Sequence, residues 1–94
     1  MNLNINYQAT RDAGNNVIKY AEDFSALLEN IKKTNSELME YWQGEDAKKY
    51  SGAVSDQAQQ MQNLATTIEE IGNFLVKVGN AYEAAMQQNM DAIN

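Results

Sequence analysis

The amino-acid sequence predicts an all-α fold: an antiparallel two-helix hairpin, expected to dimerise into a four-helix bundle. Three observations predict it. Apolar residues recur at heptad spacing through most of the chain, a single short break interrupts them near the middle, and none of the 94 residues is proline. Proline breaks helix interiors, and a chain with few turns has little use for it.

The first helix is carried by three apolar columns between residues 10 and 42. Val17, Phe24, Ile31 and Leu38 recur every seven positions; Ala13, Tyr20, Leu27, Thr34 and Tyr41 follow three places on, and Ala21, Leu28 and Trp42 one place further. Such a stripe is wider than a strict coiled-coil seam, as expected for a helix with neighbours on more than one side. After Trp42-Gln43-Gly44-Glu45-Asp46 the pattern restarts in a new register. Ala47, Val54, Met61, Ile68, Leu75 and Tyr82 form one column, and Tyr50, Gln57, Leu64, Ile71, Val78, Ala85 and Ala92 the other. About six heptads exceed the three or four that define a coiled-coil-like helix.

The break reads as the only turn. Gly44 suits the end of the first helix, because glycine accepts a left-handed conformation without a Cβ clash. Glu45 and Asp46 suit the start of the second, where carboxylates meet orphan amides and the positive end of the macrodipole. One domain, 1–94, is expected, with helix 1 over about 8–42, the turn at 42–46, helix 2 over about 46–90 and a flexible tail. The short turn makes the helices antiparallel neighbours. A further column, Ala58, Ala65, Gly72 and Gly79, holds small residues at every seventh position, letting another backbone approach closely. Together with Leu28, these residues are expected to receive a second hairpin.

Composition removes most chemistry. The chain has no cysteine and no histidine, so thiolate sites, disulfides and the commonest general base are absent. Glu22-Asp23, Glu45-Asp46 and Glu69-Glu70 are sequence neighbours, which diverge on a helix instead of converging on one substrate. Neither a calcium-loop spacing nor a glycine-rich phosphate loop occurs. No catalytic residue, metal or cofactor is expected, and the chain is read as no enzyme. A net charge of −6 argues against nucleic acid, and Lys32-Lys33 and Lys48-Lys49 are too few for a basic membrane patch. No apolar run exceeds three residues, and the start, Met1 to Tyr7, lacks the basic and apolar regions of a signal peptide.

A hairpin of this size with Trp42-Gln43-Gly44 at its sole turn, and an aromatic, Tyr50, six residues after the glycine, resembles the W-x-G family. These are small helical-hairpin proteins of the early-secreted-antigen type, exported by type VII secretion systems of Gram-positive bacteria. The resemblance covers the whole chain. It implies that Trp42 and Gly44 supply one half of a composite surface read by the secretion ATPase, the other half being the partner subunit's C-terminal tail. The tail matches in part. The family's Tyr-x-x-x-Asp/Glu signal is missing, since Tyr82 is followed four residues later by Met86. A related pattern, an acidic residue flanked by hydrophobics, is met by Glu83, Met86 and Met90, but Gly79 stands where its first hydrophobic belongs.

The resemblance implies a secreted, non-catalytic substrate or effector-like virulence factor, exported without a cleaved signal peptide as a homodimer. Two alternatives stand beside it. The chain is a targeting partner for the helical domain of a larger secreted toxin, or it is an intracellular helical adaptor whose Trp-x-Gly is coincidental.

Overall fold

A computed structural model describes the backbone of residues 6–93 and the side chains of residues 6–89. The described residues form a hairpin of two helices, α1 (Tyr7–Leu38) and α2 (Glu45–Ile93), joined through residues 39–44. No strand occurs among them.

Asn6 starts α1. Its side-chain Oδ1 accepts from the Ala9 N–H at 2.9 Å and its carbonyl from the Thr10 N–H at 3.0 Å, an N-cap that satisfies amides with no helical partner. The helix stops at Leu38, short of the expected residue 42. The cause is a tightening of the chain. The Glu40 and Tyr41 amides reach back only three residues, to the Glu37 and Leu38 carbonyls at 3.1 and 3.0 Å, forming a 3₁₀ turn. Tyr41 and Trp42 continue the apolar columns in sequence but leave the helix in space. α2 starts at Glu45 and continues to Ile93, beyond the expected 90.

The chain divides into two compact units, one of Ala21–Thr67 and one of Met1–Tyr20 with Ile68–Asn94. In the first, the buried residues are Ala21, Leu28 and Asn35 on α1, and Ala47, Ala58 and Ala65 on α2. Apart from Ala47 they step by seven, so one narrow line of each helix is hidden. In the second unit the same role falls to Gly14 on α1 and to Gly72 and Gly79 on α2, all buried. A Cβ added at Gly14 would meet the Gly72 carbonyl oxygen at 2.7 Å, and one at Gly72 would meet that of Gly14 at 2.8 Å. One at Gly79 would stand 2.8 Å from the Tyr7 oxygen. The backbones themselves are in contact.

This corrects one expectation. Leu28, Ala58, Ala65, Gly72 and Gly79 do not wait for a second hairpin, because they are buried within this one. Small residues allow the closest approach, and the helix tethered by a short loop is always present at high effective concentration. The larger apolar columns are displaced outward. Val17, Phe24, Val54 and Ile68 are half-buried, while Tyr20, Leu27, Ile31, Leu38, Tyr50, Leu64, Ile71 and Phe74 are exposed. No large side chain is fully buried among the described residues.

Glycine-to-alanine substitution should therefore change stability with opposite sign at two places on α2. At Gly72 the new methyl would strike Gly14 backbone and the Ile18 side chain at 2.7–2.8 Å. Gly72→Ala should destabilise by about 1–3 kcal/mol, since overpacking against backbone outweighs the better helix propensity. At Gly52 nothing lies within 4 Å, so Gly52→Ala should stabilise by about 0.5–1 kcal/mol. Urea unfolding followed by circular dichroism measures both, and equal signs would refute the close-packed seam.

Candidate functional site

The connection between the helices is built from backbone upward. The Leu38 carbonyl accepts from both the Tyr41 and the Trp42 N–H, each at 3.0 Å, which closes α1 and turns the chain. Gly44 then takes φ = 117°, a conformation closed to residues with a Cβ. Its carbonyl accepts from the Lys48 N–H at 3.1 Å, the first hydrogen bond of α2. Gly44 is thus the N-cap of the second helix and not the end of the first, as the sequence reading had it. Glu45 and Asp46 occupy the first turn of α2, where their charge complements the helix dipole.

Trp42 leaves this turn towards α2. Its ring lies 5.4 Å from that of Tyr50, tilted by 53°, an arrangement that fixes the indole. The tryptophan nonetheless remains 38% exposed and the neighbouring Tyr41 85% exposed. Beside them is an open cleft of about 740 Å³, lined by residues including Met39, Trp42, Gln43, Gly44, Lys48 and Ser51. Aromatic faces and an indole N–H beside such a cleft suit recognition of another chain. Nothing here arranges an acid, base or nucleophile, and no group of three or more candidate metal ligands occurs among the described residues.

The tail residues lie in the other unit. Tyr82, Glu83 and Met86 are half-buried, while Met90 is outside the residues whose side chains are described. Glu83 Oε2 accepts from an Arg11 guanidinium N–H at 2.8 Å, and the other guanidinium arm donates to Asn80 Oδ1 at 2.9 Å. The same guanidinium stands 5.9 Å over the Tyr7 ring. With its partners 30% and 39% exposed, the ion pair contributes about 0–1 kcal/mol and acts mainly to position Glu83. The structure thus joins Trp42 and Gly44 to Tyr50, and Glu83 to Arg11. Sequence reasoning missed Arg11. It is the only arginine, but its acidic partner lies 72 residues away and no local spacing connects them.

It also missed the character of the uncovered face of the Ala21–Thr67 unit. Leu27, Ile31, Leu38, Tyr50 and Val54, with Asn30, Thr34 and Asn35, line a groove of about 360 Å³. Gln57, Gln60, Met61 and Leu64 line a neighbouring one of about 280 Å³. No charged residue enters either lining, although the chain carries a net −6. The signal was present in the sequence as columns of large residues beside a column of small ones. No helix of the described residues is long and apolar enough to cross a membrane.

The turn has a testable weak point. Gly44 has no neighbour within 4 Å of a built Cβ, so the cost of a side chain there is purely conformational. Gly44→Ala should lower stability by about 1–3 kcal/mol through backbone strain alone. The expected readout is a lower urea midpoint with unchanged slope; an unaffected midpoint would mean the turn has no need of glycine.

Among known proteins, a family model described as "proteins of 100 residues with WXG" matches residues 2–91. No curated protein and no solved structure matches the chain significantly. The match covers α1 and nearly all of α2, with Trp42-Gln43-Gly44 in the connection between them: the chain belongs to the WXG100 family, the proteins of 100 residues with WXG.

Proposed function

We propose that this WXG100 protein is a non-catalytic substrate of a type VII secretion system, exported as a homodimer whose subunits join through their uncovered apolar faces. The observation that carries the reading is the state of Trp42. It lies outside both helices, is held against Tyr50, and still offers part of its ring at a cleft. A tryptophan whose task is core packing has no reason to stay 38% exposed. In this reading Trp42 and Gly44 form the turn half of the surface that the secretion ATPase engages. Tyr82, Glu83, Met86 and Met90 of the other subunit supply the tail half.

Dimerisation is supported by the apolar residues left outside. In the Ala21–Thr67 unit alone, Leu27, Ile31, Leu38, Tyr50, Met61 and Leu64 are between 40% and 57% exposed. Contiguous apolar surface on this scale marks an interaction site. Two chains of like charge repel least where they meet through a face that has no charge.

A second reading is favoured by one residue. Gly79 departs from the tail pattern, and it cannot become hydrophobic, since its Cβ would stand 2.8 Å from the Tyr7 oxygen. A chain whose packing forbids the full signal is suited to be the targeting partner of a larger toxin that completes it. In that case the same apolar face receives the toxin's helical domain.

Two experiments test these readings. Trp42→Ala should abolish appearance in the culture medium while leaving helical content unchanged, and normal export of the folded variant would sink the turn-signal reading. Leu64→Glu should weaken self-association by about tenfold or more in sedimentation velocity, as loss of an interface anchor does. A wild-type chain that is monomeric at all concentrations, but dimerises with a co-expressed toxin domain, would select the second reading.

A further inference from the structure

We propose that Asn35 is the register lock of the hairpin: it holds α1 against α2 in one alignment among several that the small-residue seam would accept. The seam repeats. Within the Ala21–Thr67 unit, Ala21 and Leu28 on α1, and Ala58 and Ala65 on α2, lie on lines that step by seven. Moving one helix past the other by one heptad exchanges alanine for alanine, so the apolar seam discriminates poorly between registers.

Asn35 breaks that degeneracy. It occupies the same line as Ala21 and Leu28 and is 8% exposed, the sole buried polar residue among those described. Its Nδ2 donates to the Ser51 carbonyl at 3.3 Å and to Ser51 Oγ at 3.2 Å. A carbonyl only accepts, so the NH₂ end of the amide is the end that faces Ser51. A shift of seven residues would set Ala58 in place of Ser51, remove the hydroxyl and strand the amide. The cost of a stranded buried amide is enough to exclude that register.

A second feature separates this role from ordinary stabilisation. Asn35 Oδ1 is buried and has no hydrogen-bond partner within the chain. A residue present for stability alone would be an alanine or leucine, which fits the line without an orphan acceptor. A polar residue that weakens a seam while selecting one pairing is a known use of buried asparagine in helical assemblies.

The test exploits the lack of native cysteine. Ser25 Oγ and Gln62 Nε2 lie 3.0 Å apart, so Ser25→Cys with Gln62→Cys reports the native register. Ser25→Cys with Glu69→Cys, one heptad further along α2, reports the slipped register in which Ala58 stands in place of Ser51. Both pairs are oxidised mildly in the full chain, with Asn35 retained and with Asn35→Ala, and read on non-reducing gels. With Asn35 present only the first pair should close. Asn35→Ala should raise closure of the second pair about tenfold or more, the equilibrium equivalent of one stranded buried amide, while the melting temperature stays equal or rises. Asn35→Leu is run alongside, in case the smaller residue leaves a void that unfolds the chain. Slipped closure that stays absent in folded variants would overturn the proposal. So would slipped closure that is already present with Asn35 in place.

Discussion

Close contact between two helix backbones sets everything else in this molecule. Gly14 and Gly72 each stand so close to the other's carbonyl oxygen that neither has room for a Cβ, and Ala58 and Ala65 continue the line of small residues along α2. A seam in which Leu28 is the one large apolar side chain and the rest are mostly glycine and alanine hides little apolar area, about 0.8 kcal/mol for each methyl-sized group. It fixes geometry well and contributes little energy. Apart from Leu28, the large side chains that normally form a core lie beside the seam, half-buried or exposed.

That division of labour connects fold to function. A hairpin that kept Leu27, Leu64 and Phe74 inside would be a self-sufficient domain with a polar surface. This one holds its geometry with its smallest residues and keeps its most adhesive ones free. The linings of the two grooves hold no charged residue, although the chain carries a net −6. In the proposed reading, the unfinished apolar face is where another helical chain joins.

Much of this was legible in the sequence. The two helices, the single break and the W-x-G tripeptide follow from heptad spacing, one glycine and the absence of proline. Periodicity gives the spacing of a face but not the direction it looks. The line through Ala58 and Gly79 was recognisable as a close-packing surface, yet nothing in it distinguishes a tethered helix from a separate one. Asn35 was passed over for a related reason, since a polar residue adds nothing to an apolar count even when it stands in line with Ala21 and Leu28. Trp42 failed differently. It keeps heptad step with Leu28, but the 3₁₀ turn closed by the Leu38 carbonyl had already ended the helix. The Arg11–Glu83 pair is a contact of folding alone, with 72 residues between its partners.

The single tryptophan sits in the segment that joins the two helices. Its emission therefore reports on that corner alone, while Tyr7, Tyr20 and Tyr82 lie elsewhere. Tyr50, 5.4 Å away, will pass its excitation energy to the indole and contribute almost no light of its own. Solvent now reaches part of the ring, so a partner that closes over the cleft will blue-shift the spectrum without the attachment of any dye. The molecule carries a native optical sensor at the turn between its helices.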